Sequence, residues 1–345
     1  MRRRRSLTIL PALFLILILL MPAVLAVSRA GSRNPSADAE TEILGSGRTL
    51  RKVTVSVPGL DRTYRLLLVS DLHIIVPDDP EVDEESREEV SRRMDQMFLS
   101  QTPEGQTAWQ QWKTLPRELD GYGADMILFS GDMIDFATKE SVRCLKEGFD
   151  SLRTPWMYVR GDHDYGAWYS REYESQKDAI ALQAEAAPRS KVMKQKTGDL
   201  TVIGWDNNTT QITEEGLRDL YEYLEEAKDE SSPVLFLCHV PMKGTAGEEL
   251  ADETKEKWGR VLLWGDDDCT YQPDETTARA IDAVLSDDSP VMLEAAGHIH
   301  FPYKGSLTGR STLVVGDPAY LGIIDELVLE PAGQTDHTEE EFQDE

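Results

Sequence analysis

Five of the six histidines in this 345-residue chain fall in four short motifs. They are His73 in Ser70-Asp71-Leu72-His73, His163 in Gly161-Asp162-His163-Asp164, His239 in Leu237-Cys238-His239-Val240, and His298 with His300 in Gly297-His298-Ile299-His300. A further motif, Gly131-Asp132-Met133-Ile134-Asp135, supplies carboxylates without a histidine. Imidazole and carboxylate together suit zinc, iron, manganese and similar ions. Solvated surface histidines would scatter along the chain, and only His337 lies outside these motifs. The chemistry to expect is that of a site holding two metal ions.

Donors more than two hundred positions apart need a scaffold that gathers them. Short apolar runs at 53–57, 64–69, 126–129, 156–159, 200–203, 234–237, 291–295, 312–315 and 327–329 read as strands. Helix-favouring stretches at 141–152, 172–185, 214–227 and 276–285 separate many of them. Strands alternating with helices predict an α/β architecture with buried sheets. The motifs stand just past strand ends: Asp71 after 66–69, Asp132 after 127–129, Asp162 and His163 after 157–159, His239 after 234–237. Carboxyl ends of strands open onto a common crevice, which is how such distant residues meet.

The series Asp-x-His, Gly-Asp-x-x-Asp, Gly-Asp-His-Asp, His and Gly-His-x-His resembles the calcineurin-like metallophosphoesterase superfamily, from Asp71 to His300. The resemblance implies a four-layer αββα sandwich, two β-sheets face to face with helices outside. It implies a phosphoester hydrolase with two divalent ions, manganese, iron or zinc, or magnesium. Asp71, His73 and His300 would hold one ion, and Asp162, His239 and His298 the other, with Asp132 bridging. His163 would give the leaving oxygen its proton, oriented by Asp164. The ions would make a water acidic enough to act as hydroxide and would offset charge on the reacting phosphoryl group. A small phosphorylated substrate follows, as phosphodiester or phosphomonoester. The alternatives are a nucleotide or envelope-lipid pyrophosphatase of the same fold, and a metal-binding scaffold without catalysis.

One position departs from the family pattern, which usually has Asn where this chain has Asp162. The extra carboxylate would leave a two-ion core with its hydroxide neutral rather than singly positive. A neutral core attracts a monoester dianion less, so Asp162 either shifts preference towards diesters, tightens the second ion, or is simply tolerated. Asp135 reads as a residue that steadies a ligand or as the cap of the following helix. Arg160 reads as a substrate-binding group gripping a phosphate oxygen, or as a partner for a nearby Asp. Tyr165, Trp168, Tyr169, Phe301 and Tyr303 either stack on substrate or pack beneath the loops.

Composition sets the outer limits. At 40% hydrophobic residues the chain can build a large core, placed at 48–330. A net charge of −27 argues against a nucleic-acid or anionic-membrane surface, since either calls for basic patches. Residues 2–5 are arginines, and an apolar run at 7–27 follows them, long enough to span a bilayer. Basic residues ahead of the run would stay cytoplasmic and place the rest outside. Residues 1–27 are therefore a membrane anchor or a cleaved signal peptide, and the domain is membrane-anchored outside the cytoplasm or secreted. Residues 28–47 read as a linker and 331–345 as an acidic tail. Between the first two motifs, 75–120 is a charged helical insertion that would cap the crevice or dock outside the sheet. Of the three cysteines, Cys238 reads as a buried thiol, which leaves Cys144 with Cys269 as the disulfide to check.

Overall fold

The computed structural model describes residues 40–95, 105–167, 169, 176–187, 191–208, 211–244 and 247–332. The apolar run at 7–27, most of the linker, the tail beyond 332, and Met97, Phe98 and Trp168 lie outside them. Among the described residues, no helix is long and apolar enough to cross a membrane.

The strands that carry the motifs are short and mostly apolar. They are β3 (Tyr64–Val69), β4 (Met126–Phe129), β5 (Trp156–Tyr158), β8 (Val234–Leu237) and β11 (Val291–Ala296). Every residue of β4 and β8 is buried, as expected of parallel strands covered on both faces. Added to them are β1 (Glu40–Ile43), β2 (Thr49–Val57), β6 (Val192–Thr197), β7 (Leu200–Trp205), β9 (Val261–Trp264), β10 (Cys269–Tyr271), β12 (Tyr303–Ser306), β13 (Thr312–Val315) and β14 (Ile323–Pro331). One six-stranded sheet runs β1-β2-β14-β3-β4-β5 and the other β12-β13-β11-β8-β7-β6, while β9 and β10 form a parallel pair of their own. Residues 40–43 are thus not linker: they pair antiparallel with β2, Ile43 opposite Thr49.

The sheets meet face to face. Val55, Leu66, Leu68, Met126, Leu128 and Leu327 of one sheet share a cluster with Val202, Leu235, Leu237, Leu293 and Val314 of the other. Truncating one such leucine to alanine typically costs about 2–5 kcal/mol, because a close-packed interior cannot collapse onto the gap. Helices cover the outer faces. The first sheet carries α2 (Ala108–Trp112), α3 (Leu115–Tyr122), α4 (Lys139–Ser151) and α5 (Gln176–Gln183). The second carries α6 (Glu214–Asp229), α7 (Glu248–Trp258) and α8 (Glu275–Leu285). The four layers expected from the motif series are present.

Helix starts follow their capping residues. Thr138 and Ser141 form a capping box at α4, and Thr213 and Asp274 accept from the backbone N–H groups of Gly216 and Thr277 at α6 and α8. Asp135 caps nothing, since Thr138 holds that place. The insertion divides. Trp112 is buried between Phe129 and Phe149 at ring-centroid distances of 6.0 and 5.5 Å, so α2 and α3 dock outside the sheet and do not cap the crevice. The first part, α1 (Arg87–Arg93), packs elsewhere, through Val90 beside Ile75, Val82, Phe136 and Tyr320. The three cysteines are buried free thiols, and Cys144 and Cys269 lie in the cores outside opposite sheets, which removes the disulfide.

Candidate metal centre

Three of the five motifs leave their strands through left-handed backbone positions. Asp71, His73, Asp132, His298 and His300 have φ of 51°, 51°, 51°, 72° and 56°, the left-handed region that side chains with a Cβ seldom adopt. Such conformations cost on the order of 1–3 kcal/mol each and persist only when the surroundings over-determine them. Here the loops are laced together. The backbone N–H groups of Asp71 and His73 donate to Gly131 O at 3.0 Å and Asp132 O at 2.9 Å, and that of Gly297 to His239 O at 2.9 Å. Gly131, at φ 97°, has no room for a side chain: a Cβ there would stand 2.6 Å from His239 Nδ1.

The donors converge in two groups that share one carboxylate. Asp71, His73, Asp132 and His300 form the first, and Asp132, Asp162, His239 and His298 the second; within each group the ligand atoms lie within 4.8 Å of one another. Asp132 Oδ1 accepts from the His163 backbone N–H at 2.9 Å, which turns Oδ2 inward. That oxygen lies 3.8 Å from His73 Nε2 and 3.4 Å from His239 Nε2. His73 Nε2 faces His300 Nε2 at 3.1 Å, and His298 Nδ1 faces His239 Nε2 at 3.2 Å. Tautomers follow from the other ring nitrogens. His73 Nδ1 donates to Asp135 Oδ1 at 3.0 Å and His239 Nδ1 to Ser130 O at 2.7 Å, so with the rings neutral, as a metal ion requires, each Nε2 presents a lone pair. Lone pairs that converge in this way suit a cation. So does Asp162 Oδ1, a buried oxygen without a hydrogen bond, 3.4 Å from both His239 Nε2 and His298 Nδ1. The residues fit two divalent ions.

Charge in the site is paired. Burial alone would raise the Asp71 and Asp162 carboxyls, but His300, His239 and His73 around Asp71, and His239, His298 and His163 around Asp162, hold both below the usual range. Burial opposes protonation of His163, yet the charge of Asp132 and the hydrogen bond and charge of Asp135 push it up to about 10.

Two residues differ from expectation. Asp164 does not orient His163. It is fully buried and accepts from the backbone N–H groups of Gly161 and Asp132, both at 2.8 Å, and of Met133 at 3.0 Å and Ile134 at 3.1 Å, clamping two loops together. Burial and the Asp132 charge push its carboxyl up to about 7. His163 is held by Asp135 instead: its Nδ1 lies 2.8 Å from Asp135 O and 3.1 Å from Asp135 Oδ1. Arg160 does not face substrate. Its side chain is fully buried, and Nη2 donates to Gln183 O at 3.2 Å and Ala187 O at 2.9 Å, with Asp206 3.5 Å from Nη1. The alternative of a nearby Asp partner is the one the fold adopts.

The described loop aromatics pack rather than stack. Tyr165, Phe301 and Tyr303 are buried, and Tyr169 lies edge-on to Phe136 at 5.3 Å. Rings that do meet the ligand histidines went unnoticed in the sequence, because they stand outside the motifs. Tyr271 Oη bonds His298 Nε2 at 2.9 Å, and Tyr320 and Trp258 lie 5.6 and 6.2 Å from His300. Asn207 was missed too: its Oδ1 accepts from the His239 and Val240 N–H groups at 2.9 and 3.0 Å.

The family model for calcineurin-like phosphoesterases matches residues 64–302, more than half of the chain. The chain belongs to the calcineurin-like phosphoesterase family. A probable glycerophosphodiester phosphodiesterase of Arcobacter nitrofigilis is 27% identical over 149 residues, 40% of this chain and 50% of that protein. The chain thus spans about half the length of the curated relative it matches. Among solved structures, a dimetal phosphatase of Danio rerio superposes with a TM-score of 0.47 at 11% identity, covering 75% of this chain and 89% of that one. A purple acid phosphatase of yellow lupin does so at 0.42 and 13%, covering 80% and 48%. This family binds two divalent metal ions, and the two donor groups described here could hold such ions.

Proposed function

We propose that this calcineurin-like phosphoesterase hydrolyses a small phosphodiester. The observation that carries the reading is the pair of donor groups sharing Asp132, with His163 bonded through its backbone to that same carboxylate. Asp71, His73, Asp132 and His300 would hold one divalent ion, and Asp132, Asp162, His239 and His298 the other. Such a pair supplies an activated water and offsets charge on the phosphoryl oxygens in an in-line displacement.

The chain's own residues do the rest. His163 donates from Nδ1 to Asp135 O, which assigns Nε2 to proton delivery at the leaving oxygen. Its ring lies 4.6 Å from that of His73, so the proton sits beside the first donor group. Asp135 holds both rings. Asp162 gives the second group a carboxylate of its own, matching Asp71 in the first. Balanced charge of this kind favours a monoanionic diester over a monoester dianion, and the similarity to a probable glycerophosphodiester phosphodiesterase supports the same choice. The basic residues ahead of the apolar run at 7–27 support a domain outside the cytoplasm, anchored or released.

The test is a panel of metals and substrates. Metal-stripped protein reloaded with manganese, zinc, iron or magnesium is expected to turn over bis-aryl phosphodiester faster than aryl phosphomonoester. His163→Ala should lose about 10²–10⁴-fold in kcat. Protein that binds two ions yet turns over neither substrate would overturn the reading.

A further inference from the structure

A guanidinium reaches the site from the charged insertion. Val90 and Arg93 are the buried residues of α1, and their spacing puts them on one face of the helix. Val90 packs with Ile75, Val82, Phe136 and Tyr320. Arg93 passes beside that cluster to Asp135, donating from Nε to Oδ2 at 2.7 Å and from Nη2 to Oδ1 at 2.6 Å. Two parallel bonds of this kind fix the plane of a carboxylate as well as its position. Asp135 is fully buried, and the same Oδ1 lies 3.0 Å from His73 Nδ1 and 3.1 Å from His163 Nδ1. One carboxylate therefore faces a metal-ligand ring, a proton-donor ring and an arginine. Without the arginine, two single contacts from pivoting imidazoles would leave the carboxylate free to twist about its own axis. The packing of α1 asks for no charge at position 93, since Val90 already seats the helix against an apolar cluster. Burying a guanidinium costs several kcal/mol unless its partners repay it, and the partner here is Asp135.

We propose that Arg93 is a positioning residue: by clamping Asp135 it sets the ring of His73 towards the ion pair and that of His163 towards the leaving oxygen. The helix α1 is thereby part of the working site and not a lid above it. The inference rests on the reading of His73 and His163 given above.

The experiment compares Arg93→Met, Arg93→Lys and, as a control, Arg92→Met, an exposed neighbour paired with Glu89. Each is assayed on aryl phosphodiesters whose leaving groups span a range of acidity. Affinity for each of two manganese ions is measured separately by chelator competition. Arg93→Met is expected to lose about 10–100-fold in kcat with little change in KM, and about 10-fold in affinity for one ion. The loss should grow as the leaving group becomes more basic, because those substrates depend most on the proton from His163. Arg93→Lys restores the charge without the fork, so it should fall between wild type and Arg93→Met. Arg92→Met should behave as wild type. A folded Arg93→Met with unchanged leaving-group dependence and ion affinities would overturn the proposal. If that variant does not fold, Arg93→Lys decides it by the same two readouts. If the wild type turns over no substrate, the functional reading fails, and the manganese affinities still judge Arg93.

Discussion

The two donor groups are alike in composition and unlike in support. Each has two histidines, one carboxylate of its own and a share of Asp132. Behind the first, the support of His73 is charged: His73 Nδ1 bonds the Asp135 carboxylate, which bonds Arg93. Behind the second the supporting groups are neutral: His239 Nδ1 bonds Ser130 O, His298 Nε2 bonds Tyr271 Oη, and Asn207 holds the His239 loop. A carboxylate behind an imidazole makes it a more basic ligand than a carbonyl does. On the proposed reading, two sites of equal ligand charge are tuned apart, the first towards proton transfer and the second towards plain retention of an ion.

The comparison breaks most completely at the residue both halves share. Asp132→Asn should cost at least about 10³-fold in kcat and weaken both ions in a chelator titration; loss of one ion alone would show that Asp132 belongs to one half. Next comes the charged support. Asp135→Asn should lose about 10–100-fold in kcat and weaken the ion held by His73, whereas Tyr271→Phe should change ion affinity less than about 10-fold. Equal losses in the two variants would erase the contrast. Asp162→Asn would make ligand charge unequal, and should raise monoester relative to diester turnover several-fold and loosen the second ion; an unchanged rate ratio and affinity would mean that the extra carboxylate is merely tolerated.

A smaller effect concerns stability below the second group. Glu294 Oε1 accepts from the Met242 N–H at 2.8 Å and from Cys238 Sγ at 3.3 Å, while Oε2 has no partner. Burial pushes this carboxyl up to about 7, against the lowering effect of those two bonds. Its folded value exceeds its unfolded one, so the folded state binds the extra proton, and stability falls as pH rises from the ordinary glutamate range through 7. Glu294→Gln should remove on the order of 2 kcal/mol of that pH dependence and raise Tm at pH 8 by several degrees, read by thermal melts at pH 5 and pH 8.

Much of the site was legible because ligands carry their own signature. Histidine and aspartate after an apolar strand end announce themselves, and every such residue in the motifs except Asp164 joins one of the clustered donor groups. The supporting residues are different. Arg93 stands in a run of charges that reads as a solvated face, and only the docking of α1 through Val90 turns it inward. Arg160, just ahead of a glycine turn, has the profile of a phosphate-gripping residue; its burial depends on Asp206, forty-six positions on, and on carbonyls at the end of α5 and just beyond it. Asp164 directly follows His163, the proposed proton donor, yet the turn at residues 163–165 points it to the backbone N–H groups of the loop after β4. Strand β1 was hidden in polar sequence because an edge strand needs no apolar face: all four of its residues are exposed. Local pattern reports what a side chain can do, and tertiary contact decides what it faces.

Strand order bears on how the site comes into being. β14 lies between β2 and β3, parallel to the one and antiparallel to the other. A nascent chain that has grown past His300 already contains every metal-ligating side chain, yet its first sheet still lacks the middle strand. Until residues 323–331 leave the ribosome, β2 has no partner on the side of β3, and Asp71 and Asp132 hang from an incomplete scaffold. Closure of the first sheet, and with it the scaffold under Asp71 and Asp132, therefore waits on the last strand of the fold.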